Sequence, residues 1–116
     1  LVASLFQRVL QARGHQVWLA ADGRQALEML RAREYDLVIS DVKMPGMNGT
    51  DLHGELRRLQ PILADHTIFI TGDTVSRETR QFLEQAGVPH LTKPVDLDAM
   101  EQAVSQMLKR RKQVHG

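Results

Sequence analysis

The chain has 116 residues, 42% of them apolar and 25% charged, and its formal net charge is +1. This length fits one compact domain, and neither the charge nor any apolar run predicts nucleic-acid contact or membrane insertion, since a bilayer span needs roughly 20 apolar residues. The absence of cysteine excludes a disulfide framework, a thiolate zinc site and cysteine nucleophilic chemistry, and a cytoplasmic location is expected.

Five segments carry apolar residues at three- and four-residue spacing, which predicts helices with one buried face. They cover residues 1–13, 23–33, 50–59, 76–86 and 97–112. Asp22, Ser76 and Asp96 are predicted N-caps, because a short polar side chain can accept hydrogen bonds from the free N–H groups of a first turn. Gly14 and Gly87 stand where a helix ends in a left-handed residue.

Four short apolar or β-branched runs lie between these helices, at residues 16–20, 37–40, 67–71 and 90–92. They do not alternate polar with apolar residues, so they resemble buried parallel strands more than half-exposed antiparallel ones. Strands and helices alternate along the chain. The pattern therefore predicts an α/β fold, a doubly wound parallel sheet in a single domain.

Polar residues follow three of these predicted strands. Asp41 comes directly after the second, Thr71 ends the third, and Lys93 follows the fourth. Because ligands bind outside the carboxyl ends of parallel strands, a carboxylate, a hydroxyl and an ammonium are expected to meet at one edge of the sheet. The Lys93–Pro94 step is also a candidate cis peptide bond.

This set of groups suits phosphoryl transfer. A carboxylate can accept a phosphoryl group as an aspartyl phosphate, and a cation and a hydroxyl donor can stabilise its oxygens. Magnesium needs further oxygen ligands, and the backbone carbonyl of Lys43 is well placed to be one. Taken singly, Asp41 could be a turn residue and Lys93 a solvated surface group. Their occurrence at successive strand ends favours a shared site.

The sequence around these residues resembles the receiver domains of bacterial two-component signalling. The resemblance rests on the run Asp41-Val42-Lys43-Met44-Pro45-Gly46-Met47-Asn48-Gly49, on Asp22-Gly23 before a helix, and on the pairs Thr71-Gly72 and Lys93-Pro94. It extends from about residue 1 to residue 108. The run Phe69-Ile70-Thr71-Gly72-Asp73-Thr74 is further similar to receivers attached to hybrid sensor histidine kinases.

The resemblance implies that a histidine kinase or phosphotransfer protein phosphorylates Asp41 in the presence of Mg²⁺, which Asp41 and the Lys43 carbonyl help to bind. Thr71 would then move to the phosphoryl group and Lys93 would pair with it. The family has a switching aromatic residue three positions before the lysine, where this chain has His90. The expected partners are that donor and a protein effector or the protein's own output domain.

The resemblance also implies a flavodoxin-like sheet of strand order 2-1-3-4-5. The family's first strand, which carries two acidic magnesium ligands, has no counterpart in this chain, so strand 1 and the remaining metal ligands are expected upstream of Leu1 in a longer parent protein. In this fragment, magnesium binding is expected to be weak. Residues 1–112 are predicted to form an N-terminally incomplete receiver domain, followed by a tail at 113–116.

Two other functions compete with the phosphorylation-operated switch. An aspartate-based phosphatase or phosphotransferase would commonly have a second aspartate two residues after the nucleophile, and Lys43 occupies that place. The sequence therefore predicts a protein that is not an enzyme. A pseudo-receiver, a binding module that does not use phosphorylation, is the second alternative, supported by His90 and by the missing acidic pair.

Overall fold

The computed structural model describes the backbone of residues 2–43, 47–72 and 76–115, and side chains within 6–43, 47–72 and 76–109. Its helices are α1 (Val2–Ala12), α2 (Gly23–Ala32), α3 (Gly49–Leu59), α4 (Pro61–Asp65), α5 (Arg77–Ala86) and α6 (Leu97–His115). Its strands are β1 (Val38–Asp41), β2 (Thr67–Thr71) and β3 (His90–Thr92). No helix in the described part of the chain is both long and apolar enough to cross a bilayer.

The three strands form a parallel sheet of order β1-β2-β3. Ile39 lies opposite Ile68, and Ile70 lies opposite Leu91. The order of the last three predicted strands and their parallel direction are therefore confirmed. The register also brings the carboxyl ends of all three strands to one edge of the sheet.

The core lies on both faces of β2, whose five residues are all buried. Successive side chains of a strand point to opposite faces, and here Ile68 packs with residues of α1 and α6, including Leu10 and Met100. Phe69 packs on the other face against Leu83 of α5. A separate cluster joins α2, α3 and α4, so the sheet is covered by helices on both sides.

The predicted helix ends agree closely with the structure. The side chain of Asp22 accepts a hydrogen bond from the backbone of Gln25, and the side chains of Ser76 and Asp96 cap α5 and α6 in the same way. Gly14 and Gly87 have positive φ angles of 91° and 65°. The final helix continues to His115, beyond the end predicted at residue 112, while the domain boundary at that residue stays a prediction.

One predicted strand is wrong, and one helix was not predicted. Residues 16–20 are irregular rather than a strand, because an isolated run has no neighbour for its backbone hydrogen bonds, and no described strand pairs with it. Trp18 in this run is 42% exposed, and the guanidinium of Arg33 lies 4.4 Å from the centroid of its ring. The short helix α4 was not predicted. It begins at Pro61, a residue whose fixed φ angle favours the first position of a helix.

Candidate functional site

The ammonium of Lys93 and the carboxylate of Asp41 form an ion pair at the carboxyl edge of the sheet, with Nζ 3.1 Å from Oδ1. Both side chains remain about half exposed, at 50% and 44%. Asp41 is the last residue of β1, and the backbone of Lys93 extends the sheet by donating a hydrogen bond to the carbonyl of Thr71. The Lys93–Pro94 peptide bond is cis.

Thr71 ends the central strand, between the two charged residues, and its side chain is buried. A cavity of about 150 Å³ opens at this point and is lined by Asp41, Lys43, Ile70, Thr71, Gly72 and Lys93. The structure therefore brings the predicted carboxylate, hydroxyl and ammonium to one cavity. The predicted metal ligand Lys43 lines the same space.

Gly49 holds the backbone after Asp41 in place, a role that the sequence did not reveal. Its N–H donates a 2.9 Å hydrogen bond to the carbonyl of Val42. A Cβ at this position would collide with the carbonyl oxygen of Asp41 and lie 3.1 Å from the Cα of Val42. The first turn of α3 therefore approaches the strand end more closely than any other residue type allows.

His90 is the first residue of β3, and its side chain is exposed. In the register of the sheet it lies opposite Phe69, whereas Thr71 lies opposite Thr92. The structure thus places His90 on the same strand pair as Thr71 but two residues away from the site edge. A switching role for His90 stays a prediction.

The described residues do not form a complete magnesium site. No group of three histidine, aspartate or glutamate side chains suitable for a metal occurs among them. Of the described residues that line the cavity, Asp41 is the single carboxylate, and an ammonium lies 3.1 Å from it. Magnesium prefers six oxygen ligands in an octahedron, so Asp41 and one backbone carbonyl would leave most of the shell to other groups.

A larger surface groove, of about 1020 Å³, lies between α2 and α3. Arg24 and Arg31 line it from α2, and Asp51 and Glu55 line it from α3. Asp41, Thr71 and Lys93 do not line this groove, and it is widely open to solvent. The smaller cavity is therefore the candidate site, because a nucleophile, a cation and a hydroxyl donor meet there.

Several predicted motif residues lie outside the described part of the chain. These are Met44, Pro45 and Gly46 in the loop after Asp41, and Asp73 and Thr74 after β2. The expected contributions of these residues stay predictions from the sequence.

Comparison with known protein families gives a match over residues 1–105 to the response regulator receiver domain. Among curated proteins, the sensor kinase CckA of Brucella abortus is 37% identical over 106 residues, which are 90% of this chain and 11% of the kinase. The transcriptional regulatory protein ZraR of Escherichia coli O157:H7 is 31% identical over 105 residues, 90% of this chain and 23% of that protein. The chain thus spans less than a quarter of these two relatives.

Solved structures give the same result. A CheY-like response regulator receiver domain protein from Methanospirillum hungatei matches with a TM-score of 0.88 and 25% identity, over 97% of this chain and 88% of that one. The receiver domain of a Francisella response regulator matches with a TM-score of 0.82 and 27% identity, over 95% and 89% of the two chains. The three-stranded parallel sheet and its helices therefore have the CheY-like receiver fold.

Proposed function

Because this chain belongs to the response regulator receiver domains of two-component signal transduction, we propose that Asp41 accepts a phosphoryl group from a histidine kinase or phosphotransfer protein. The family consists of signalling switches rather than enzymes, which decides against the phosphatase alternative. The observation that carries the proposal is the position of Lys93, whose Nζ lies 3.1 Å from the Asp41 carboxylate at the cavity that Thr71 also lines.

The proposed reaction moves one phosphoryl group between two proteins. A carboxylate oxygen of Asp41 attacks the phosphorus of a phosphohistidine, the P–N bond breaks, and its electron pair returns to the imidazole nitrogen, which takes up a proton. The product is an aspartyl phosphate. Lys93 then pairs with the phosphoryl oxygens, and the hydroxyl of Thr71 donates a hydrogen bond to one of them.

Magnesium binding and the outer edge of β1, with which no strand of the described residues pairs, belong to the same proposal. Receiver domains typically bind Mg²⁺, for which we propose Asp41 and the Lys43 carbonyl as ligands. Val38 and Val42 direct their N–H groups toward β2, so the intervening Ile39 and Asp41 direct theirs to the opposite edge of β1. An added parallel strand that carries acidic ligands would pair with that edge.

Phosphorylation is proposed to act on the surface made by α5, β3 and α6. An aspartyl phosphate adds up to two negative charges and three acceptor oxygens beside Thr71. When Thr71 turns toward these oxygens, the end of β2, which precedes α5, changes its conformation. His90 on the neighbouring strand is the proposed second switch residue. The partner that binds this surface would be a protein effector or an output domain of the same protein.

Incubation with radiolabelled acetyl phosphate and Mg²⁺ tests the acceptor. The chain should become labelled, and Asp41→Asn should abolish the labelling. Hydroxylamine should release the label as inorganic phosphate, because it cleaves acyl phosphates and leaves a hydroxamate on the aspartate. Asp65→Asn is the matched control, because Asp65 is an exposed carboxylate whose partner is Arg57 rather than Lys93. Full labelling of Asp41→Asn would overturn the proposal.

A pseudo-receiver is the second candidate function, favoured by the finding that Asp41 alone contributes a carboxylate among the described residues that line the cavity. In that case the chain would bind its partner protein without phosphorylation. It would remain unlabelled by acetyl phosphate and by a phosphorylated donor protein, and Asp41→Asn would leave partner binding unchanged. Labelling of Asp41 by either donor would exclude this candidate.

A further inference from the structure

Gly23, the first residue of α2, is buried against the loop that follows Asp41. A Cβ built at Gly23 would lie 2.7 Å from both the Cβ and the carbonyl oxygen of Met47, and 3.1 Å from its Cγ. Two of these contacts are with atoms that a side-chain rotation cannot move away. An alanine at this position would therefore require the backbone of the loop to shift.

The backbone conformation of Gly23 does not explain why a glycine stands at this position. Among the described residues, only Gly14 and Gly87 have positive φ angles, so Gly23 has a backbone that any residue can adopt. The feature that requires glycine at the start of α2 is the space occupied by Met47.

Met47 belongs to the segment that joins Asp41 to α3, and it is fixed from two further directions. Its side chain packs against the apolar cluster of α2, α3 and α4, which includes Leu27 and Leu52. Two residues later, the N–H of Gly49 is bonded to the carbonyl of Val42. The segment 42–48, here called the acceptor loop, is thus held at its C-terminal end by Gly49 and, two residues earlier, by the contact between Met47 and Gly23.

We infer that Gly23 is a positioning residue for the acceptor loop: its missing side chain lets Met47 approach α2, and this contact sets the loop that carries the Lys43 carbonyl beside Asp41. The inference rests on the proposed phosphorylation of Asp41 for its kinetic consequence. Misplacement of reacting groups by about 1 Å can cost about 100-fold in rate, so a smaller loop shift in Gly23→Ala should slow labelling of Asp41 by about tenfold.

The loop position is measured first, by the methyl resonances of the methionines in the whole chain. Gly23→Ala should shift the Met47 methyl resonance and the Lys43 amide resonance, while the methyl resonances of Met100 and Met107, buried in α6, stay in place. Gly54→Ala is the matched control, because a Cβ at this α3 glycine meets nothing within 4 Å. An unchanged Met47 resonance in Gly23→Ala would overturn the inference.

The rate of labelling by acetyl phosphate is measured next, in a double-mutant cycle with Met47→Gly, which removes two of the three contacted atoms. In the chain that keeps Met47, Gly23→Ala should slow labelling about tenfold. In the Met47→Gly background, the same substitution should slow labelling by a clearly smaller factor. Equal factors in the two backgrounds would show that the contact is not the cause. If the native chain is not labelled at all, the proposed function fails, and the resonances of Met47 and Lys43 alone decide whether Gly23 positions the loop.

Discussion

The Nζ atom of Lys93 lies 3.1 Å from Oδ1 of Asp41, although Asp41 ends β1, Lys93 follows β3, and β2 lies between these two strands. Two features of the backbone produce this contact. Parallel pairing aligns the ends of β1 and β3, and the hydrogen bond from the Lys93 N–H to the Thr71 carbonyl extends β3 by one residue beyond Thr92. The lysine therefore crosses the end of the central strand to reach the aspartate.

Removal of this ammonium should slow phosphorylation far more than it weakens the fold. An exposed ion pair contributes about 0–1 kcal/mol to stability, whereas a cation that is already in place to receive phosphoryl oxygens is typically worth about 100-fold in rate. Lys93→Met should therefore be labelled by acetyl phosphate at least about tenfold more slowly than the native chain, with little change in its melting temperature.

The matched control for Lys93→Met is Arg57→Gln. Arg57 and Asp65 form a 2.7 Å ion pair with side-chain exposures of 45% and 57%, similar to those of Lys93 and Asp41. Loss of this remote pair should leave the labelling rate unchanged. Native labelling rates in Lys93→Met would show that the ammonium does not assist the transfer.

Thr71 should matter for the response to phosphorylation more than for phosphorylation itself. Its side chain is buried at the site edge, and a hydrogen bond to a charged phosphoryl group is worth about 1.5–3 kcal/mol. Thr71→Ala should still be labelled, but the labelled variant should lose the change in amide hydrogen exchange that phosphorylation causes in α5 and β3.

Thr92→Ala is the control for this experiment, because Thr92 lies opposite Thr71 in the sheet but is exposed. It should show the native exchange response. If phosphorylated Thr71→Ala shows the same exchange response as the native chain, Thr71 is not the residue that transmits the signal.

Much of this architecture could be predicted from local patterns. Helical spacing of apolar residues and capping side chains such as Asp22 fixed five of the six helices, since these signals lie within one element. The grouping of three side chains at one cavity could be predicted too, because parallel strands place their carboxyl ends at one edge. Asp41, Thr71 and Lys93 needed only that rule to be grouped correctly.

The features that were not predicted depend on what lies next to a segment in the fold and not on the residues of the segment itself. An apolar run at 16–20 has the composition of a strand, but strand formation depends on a neighbouring strand, about which the run carries no information. The close approaches at Gly23 and Gly49 depend on the path of the acceptor loop in three dimensions. A glycine at a helix start does not by itself reveal that another segment occupies the space of its Cβ.

Core packing beside the site gives a stability prediction that does not depend on phosphorylation. Leu56 of α3 is 1% exposed, whereas Leu59, one turn later on the same helix, is 41% exposed. Leu56→Ala should lower the free energy of unfolding by about 2–5 kcal/mol, since it leaves a cavity in the cluster of α2, α3 and α4. Leu59→Ala should cost much less, and urea unfolding of the two variants would measure the difference. Equal losses would contradict the packing seen at Leu56.

The start of α2 offers a second comparison between paired positions. The carboxylate of Asp22 accepts a 2.8 Å hydrogen bond from the Gln25 N–H, and the Gln25 side chain accepts one from the Ala21 N–H. Loss of such an N-cap costs about 0.5–2 kcal/mol. Asn48 occupies the same position before α3 but makes no side-chain capping bond.

Asp22→Ala should therefore lower the free energy of urea unfolding by about 1 kcal/mol, and Asn48→Ala should lower it by less. Because Gly23 follows Asp22 directly and contacts Met47, fraying of this first turn should also loosen the acceptor loop. Faster amide exchange at Gly49 in Asp22→Ala than in Asn48→Ala would support that coupling. The reverse order of exchange rates would show that the α2 start and the acceptor loop move independently.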